Sequence, residues 1–238
     1  MVFAAVLAGG SGSRMGNKEK PKQYLNLAGT PILIHTLEKF YINNHLEKIL
    51  VLCPEEWLEY TKDLVKKYIG KTDRVLVIEG GSTRNETIMN AICWLEEQYE
   101  LTEEDIIVTH DSVRPFVTYR IIEENIKFAK KYGACDTVIP ATDTIVESED
   151  RQNISNIPKR SRMYQGQTPQ TFQIKKLKRL YDALSEKEKE LLTDAAKIFV
   201  VQGEKVCLAE GEVSNIKITY PYDLRVAESL IQTGHSEE

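Results

Sequence analysis

Four glycines fall within eight residues, at Gly9, Gly10, Gly12 and Gly16, and Arg14, Lys18, Lys20 and Lys22 crowd the same stretch. Glycine costs backbone entropy and gives a core nothing to pack. Clustered cations repel one another. An anion bound against bare backbone offsets both costs. The loop is not a dinucleotide fingerprint, because the third glycine would have to stand where Met15 does, and it is not a Walker A loop, because no Gly-Lys-Ser/Thr follows. The run Lys48–Cys53 also lacks the acidic end that would hold the ribose of NAD. These features point to a nucleoside triphosphate. Attack at its α-phosphorus builds charge on the leaving pyrophosphate, and that calls for placed cations and a metal. A nucleotide read through main-chain groups needs small residues, which suits Ala8, Gly9, Gly10 and Gly12. Asp111, beside Arg114-Pro115, reads either as a carboxylate for Mg²⁺ or as the partner of Arg114, and both can hold. His110 reads as a partly buried histidine, since a phosphate nucleophile needs little help from a base.

Short β-branched runs, each followed by a helical pattern, must position these groups. Val2–Leu7, Lys48–Cys53, Arg74–Gly81, Asp105–Asp111 and Ala134–Ala141 are expected strands. Thr30-Pro31 reads as an N-cap with proline at the first helical position, and Thr83–Glu86 as a capping box. Trp57–Tyr68, Ile121–Lys131, Ile174–Leu184, Ala195–Gln202 and Pro221–Ile231 are expected helices, with Lys205–Glu210 a late strand. Such alternation with nearly continuous apolar strands predicts a mostly parallel sheet covered on both faces. The glycine loop, "GGSTRNET", "THDSVRP" and "PATDT" all follow strands, so they are expected to meet in one crevice beyond the strands' carboxyl ends. Asp143–Arg160 breaks the rhythm and reads as a polar hairpin too poor to stand alone, lying on the rest of the chain or on a second subunit.

The chain has 238 residues, 42% of them apolar and 28% charged, which suffices for a packed α/β core. A net charge of −5 gives no overall footprint for nucleic acid. The N-terminal apolar run is too short for a signal peptide, no run reaches membrane-spanning length, and Cys53, Cys93, Cys135 and Cys207 form no C-x-x-C pair. The expectation is a cytoplasmic protein with reduced cysteines and no membrane or nucleic-acid partner. Trp57 and Trp94 read as packing residues. His35, His45 and His235 show no metal spacing.

The segments "LAGGSGSRMG…KPKQYL", "GGSTRNET", "HDSVRPF", "TPQTF" and "NIKIT.P.DL" together resemble the sugar-alcohol phosphate cytidylyltransferases, over about Val2 to Ile231. That family joins a ribitol 5-phosphate branch to a 2-C-methyl-D-erythritol 4-phosphate branch. "ILIHTLEKF", "VTHDSVRPF", "MYQGQTPQTF" and "LTDAAKIF" are more similar to the ribitol branch. The resemblance implies a Rossmann-like nucleotidyltransferase fold in one domain, 1–238, with a β-arm at 142–165 that reaches across a homodimer. It implies CTP and a polyol phosphate as substrates and Mg²⁺ as cofactor. In the ribitol branch the product is CDP-ribitol, for teichoic acid or capsule polymers, and a ribulose-5-phosphate reductase is a candidate partner. In the methylerythritol branch the product serves isoprenoid synthesis. An NAD(P)-dependent reductase and a non-catalytic nucleotide-binding module are the competing classes.

By the same resemblance, Arg14 and Lys22 take the catalytic role at the triphosphate. Leu7, Ala8, Gly9, Gly10, Gly12, Gly81 and Ser112 line the nucleotide, and Arg84 with Thr87 helps to recognise cytosine. Asp111 binds metal or substrate with Arg114 in support. Lys217 and Arg160 hold the polyol phosphate, and Thr144 and Thr168 add hydroxyl contacts. Lys18 and Lys20 read equally as phosphate ligands or as surface, and Lys159 as solvated.

Overall fold

A computed structural model describes residues 1–10, 12, 15 and 20–234. Arg14, Lys18 and His235, singled out above, lie outside the described residues. The first half follows the expected alternation: β1 (Val2–Leu7), a short pair β2 (Asn26–Leu27) and β3 (Thr30–Pro31), α1 (Ile32–Tyr41), β4 (Lys48–Cys53), α2 (Leu58–Tyr68), β5 (Val75–Glu79), α3 (Arg84–Gln98), β6 (Ile106–Asp111), α4 (Tyr119–Tyr132) and β7 (Ala134–Pro140). The second half runs β8 (Tyr164–Gln173), α5 (Ile174–Asp182), α6 (Glu186–Glu190), α7 (Ala196–Val201), β9 (Cys207–Glu210) and α8 (Pro221–Gly234). The main sheet has seven strands in the order β5-β4-β1-β6-β8-β7-β9.

Every neighbouring pair in that sheet is parallel except those made by β8, which runs antiparallel to both β6 and β7. Alternation along β1 divides the core. Val2, Ala4 and Val6 face α1, α2 and α4, while Phe3 and Ala5 face α3, α5 and α7. Helices therefore cover both faces, as the apolar strands require. A third cluster under α8 joins Leu27, Ile32, Val113 and Ile218.

Three points differ from the expectation. Pro31 caps α1 with extended backbone and pairs in β3, so the helix starts at Ile32 and Thr30 is not its cap. Strand β8 was not expected. Its sequence, YQGQTPQTFQ, is polar and carries a proline, yet Gln167 to Phe172 are buried in the sheet. The segment Asp143–Arg160 doubles back through one isolated bridge, Glu147 with Asn156, and forms no pair of strands. Cys93 is exposed, whereas Cys53 and Cys135 are buried.

Candidate active site

The carboxyl ends of β1, β5 and β6 open into a cavity of about 320 Å³. The capping box holds one wall. Thr83 accepts from the Glu86 N–H, and the Glu86 carboxylate accepts from the Ser82 and Thr83 N–H groups, fixing the start of α3. That turn aims Arg84 across the cavity. Gly81 packs so tightly on α3 that a Cβ there would run into Glu86. On the opposite wall Gly12 has φ +69°, and a Cβ on it would lie 2.9 Å from the Lys22 backbone nitrogen. Glycine at 12 thus lets its own backbone lie against the short helical turn Lys22–Tyr24, which sets the buried Lys22 into the cavity wall.

Asp111, at the end of β6, is the centre of charge. Its side chain is 8% exposed and meets three cations: Arg84 through Nη1, Arg114 Nε at 3.4 Å and Lys217 Nζ at 2.9 Å. Burial alone would raise its pKa. Arg84, Lys217 and Arg114 outweigh that and hold the carboxyl well below the usual carboxylate range. Behind it runs a closed relay. The Asp111 N–H donates to Thr168 Oγ1 at 3.1 Å, Thr168 meets His110 Nδ1 at 3.0 Å, and His110 Nε2 meets the Arg114 carbonyl at 3.1 Å. A carbonyl only accepts, so Nε2 carries the proton and Thr168 donates to Nδ1. Burial lowers the His110 pKa to about 3 and keeps the ring neutral. The Arg114 Nη1 donates to the Asn215 carbonyl at 2.8 Å, which ties the segment carrying Lys217 to the same centre.

The predicted residues separate accordingly. Leu7, Gly9, Gly10, Gly12, Lys22, Gly81, Arg84, Thr87, Asp111, Ser112 and Lys217 line the cavity. Ala8 does not, because its N–H donates to the Leu52 carbonyl and its own carbonyl accepts from Gln23. The Thr87 hydroxyl bonds the Gly81 N–H and the Thr83 carbonyl, so it shapes the Gly81 loop rather than offering a free group. Thr168 and Arg114 do not line the cavity and are buried beside Asp111, to which both bond. Thr144 and Arg160 are exposed on the 142–165 arm, where Arg160 Nη1 donates to the Thr142 carbonyl. Lys20 lies over the Tyr60 ring, 4.5 Å from its centroid. Ser82, Thr83 and Val113 line the cavity from two of the loops expected to meet there, and Gln23 and Thr219 line it without having been singled out. The buried Gln23 had a legible place in the KPKQYL motif, but no signal for its hydrogen bond to Ala8.

The magnesium expectation meets a poor donor set at Asp111. It is the one carboxylate lining the cavity among the described residues, and both its oxygens are ion-paired. No group of three His, Cys, Asp or Glu side chains suited to a metal occurs among the described residues. The residues present therefore do not fit a metal held by the protein at Asp111.

The family model for 2-C-methyl-D-erythritol 4-phosphate cytidylyltransferase matches residues 2–233. Among solved structures, 4-diphosphocytidyl-2C-methyl-D-erythritol synthase from Anaerococcus prevotii is 27% identical with a TM-score of 0.79, over 98% of this chain and 96% of that one. The 2-C-methyl-D-erythritol 4-phosphate cytidylyltransferase of Francisella tularensis is 27% identical with a TM-score of 0.78, covering 96% and 98%. That of Thermus thermophilus is 26% identical with a TM-score of 0.72, covering 98% and 100%. No helix among the described residues is long and apolar enough to cross a membrane.

Proposed function

The chain belongs to the 2-C-methyl-D-erythritol 4-phosphate cytidylyltransferase family, and from that premise we propose how its site carries out cytidylyl transfer from CTP to a phosphorylated sugar alcohol. An oxygen of the acceptor phosphate attacks the α-phosphorus in line. One P–O bond forms, the bond to the β-phosphate oxygen breaks, and pyrophosphate leaves. The observation that carries this reading is the pairing of Lys22 on the glycine loop with the Asp111 centre across one cavity. Lys22, with Arg14 from the same loop, meets the charge that grows on the transferring group. Arg84, placed by the α3 cap, and the backbone of Gly81 face the base. Lys217, held beside Asp111, takes the acceptor phosphate. Positioning and charge supply most of such catalysis. Magnesium belongs to this reading as an ion carried by the triphosphate, and no step is routed through it.

Two acceptors have support. The family and the solved relatives carry the name of methylerythritol phosphate, and they favour that acceptor over the ribitol phosphate expected from the sequence. Ribitol 5-phosphate keeps its own support in "VTHDSVRPF", "MYQGQTPQTF" and "LTDAAKIF". The reductase partner belongs to that second acceptor alone. We also propose a homodimer joined by the 142–165 arm, with Arg160 and Thr144 serving the partner's site. Support comes from Val146, Ile154 and Ile157, apolar side chains that are 49–61% exposed along that arm.

The test is pyrophosphate release and nucleotide-sugar formation from each NTP, with either acceptor. CTP-dependent release with one or both acceptors is expected. Silence with every sugar-alcohol phosphate, or NADPH turnover in its place, overturns the reading.

A further inference from the structure

The short helical turn Lys22–Tyr24 is one 3-10 turn whose three residues are all buried. At three residues per turn, its side chains leave in directions about 120° apart. Lys22 goes to the cavity wall. Tyr24 goes to α2, where its hydroxyl bonds Thr61 Oγ1 at 2.7 Å and its ring stacks on Trp57 with centroids 4.9 Å apart. Gln23 goes to the end of β1, where its Nε2 donates to the Ala8 carbonyl at 2.6 Å. The turn thus carries one cation for the cavity and two anchors for the cation.

The Ala8 carbonyl needs the second anchor. The sheet uses the groups on either side of it: the Leu7 carbonyl accepts from the Ser112 N–H at 3.1 Å, and the Ala8 N–H donates to the Leu52 carbonyl at 2.7 Å. Ala8 itself is 0% exposed, so bulk water does not reach its carbonyl. The Gln23 amide takes the place that a strand N–H would fill. Ala8 and Gln23 stand 15 positions apart in sequence. The four glycines, Arg14 and Lys22 all lie between them. One buried bond therefore sets the two ends of that stretch side by side. Both ends serve the cavity. Gly9 and Gly10, which follow Ala8, line it, as do Lys22 and Gln23.

We propose that Gln23 is the positioning residue for Lys22, a clasp that fixes the catalytic cation against the glycine backbone that receives the triphosphate. This inference rests on the cytidylyltransferase reading above and adds the residue that makes Lys22 effective. The residue type follows from the chemistry. A carbonyl only accepts, so the clasp must donate, which an ionised carboxylate cannot do. A second cation would donate but repel Lys22. A neutral amide meets both conditions. Its Nε2 is already taken by Ala8, so Gln23 acts through Lys22 and not on the reacting atoms. The cost of losing it follows from where Lys22 acts. A group that meets charge growing in the transition state has to be in place beforehand, and a misplacement of about 1 Å costs on the order of 100-fold in rate.

The experiment is a double-mutant cycle on Gln23→Met and Lys22→Ala. Methionine fills about the same volume as glutamine and cannot donate to Ala8. The wild type, both single variants and the double variant are assayed for kcat and for the KM of CTP and of acceptor. The acceptor is 2-C-methyl-D-erythritol 4-phosphate or ribitol 5-phosphate, whichever the wild type uses, and enzyme is added until the residual turnover of Lys22→Ala is resolved. Gln23→Met alone is expected to lower kcat about 10- to 100-fold, with the acceptor KM within about twofold. In the Lys22→Ala background the same change is expected to lower kcat less than about threefold, because nothing is left for the clasp to position. A kcat within twofold of wild type for Gln23→Met overturns the proposal. An equal loss in both backgrounds overturns it too, since that marks a purely structural role, and so does an acceptor KM that rises as far as kcat falls. If Gln23→Met does not fold, the same cycle with Gln23→Asn decides, its amide being one methylene too short to reach Ala8. A wild type inactive with both acceptors overturns the cytidylyltransferase reading, and the proposal with it, whereas an active wild type with any of the other failures overturns the proposal alone.

Discussion

The Asp111 centre and the 142–165 arm are both rich in charge, and they are built in opposite ways. At Asp111 every partner is supplied by a different element: Arg84 by α3, Arg114 by the turn after β6, Lys217 by the segment before α8, and Thr168 by β8. The carboxylate is buried, and its charge is matched on several sides. In the arm, the hydrogen bonds are local. Asp150 accepts from the N–H groups of Gln152 and Asn153, and Asn156 Nδ2 donates to Glu147 at 2.9 Å. Those side chains are exposed, so water competes for each bond. One region is specified by the whole fold. The other keeps a local turn and leaves its apolar side chains without cover in the single chain.

The sharpest break of this comparison is Lys22→Ala. Lys22 meets charge that grows in the transition state, so turnover is expected to fall by about 10² to 10⁴, with a much smaller change in the KM for CTP. Steady-state kinetics at saturating acceptor checks this. A risen KM for CTP with intact turnover makes Lys22 a binding residue only.

Asp111→Asn comes next. It leaves three cations around a neutral group, and loss of one partner of a buried ion pair costs on the order of 3 kcal/mol. The depressed pKa means that the stabilisation is present above the unfolded value near 4 and fades as pH falls through the folded one. The variant's deficit in thermal melts is therefore expected at pH 5 to 8 and should shrink below about pH 4. If Asp111 is no metal ligand, the Mg²⁺ concentration for half-maximal rate should match that of the wild type in whatever activity remains. A large rise in that concentration would restore the metal role.

What was legible from the sequence follows the same division. Strands β1, β4 and β6 and the α3 cap could be read because apolar runs and a capping box are local signals. Asp111, Arg84 and Lys217 were each singled out, but for separate tasks, and their joint ion-paired centre was not legible because nothing in their spacing brings them together. Strand β8 was hidden because its burial is satisfied by hydrogen bonds instead of apolar side chains. Thr109 Oγ1 donates to the Gln170 carbonyl and Thr137 Oγ1 to the Pro169 carbonyl. Hydrophobic periodicity registers none of this. Ala8 and Thr168 do not line the cavity, because the tertiary fold already uses their polar atoms, and no local signal announces those partners.

For the arm, the proposed exchange between subunits is tested by mixing Lys22→Ala with Arg160→Ala under conditions that let subunits exchange. Each homodimer has only defective sites. In a mixed dimer, one site joins an intact Lys22 to the partner's intact arm, and the other carries both defects. With random pairing, activity is expected to recover to roughly one quarter of wild type, by counting sites in a two-fold dimer. If Arg160 serves its own subunit, every site keeps one defect and mixing restores nothing.

The smallest expected effect sets one hydrogen bond of each region side by side. Thr168→Val keeps the shape and removes the hydroxyl. The Asp111 N–H then loses its acceptor and His110 Nδ1 its donor, both in a buried place. Unsatisfied buried groups of this kind cost about 1–3 kcal/mol. Asn156→Ala removes the bond to Glu147, but both residues are exposed and water replaces it. That variant is expected to stay within about 0.5 kcal/mol of wild type. Chemical denaturation of the two variants at one pH and a low protein concentration, where subunits separate, gives the comparison directly. A near-neutral Thr168→Val would mean that the relay behind Asp111 reorganises at little cost. A cost for Asn156→Ala equal to that of Thr168→Val would mean that the arm packs on the body of its own chain, and the contrast between the two regions would be lost.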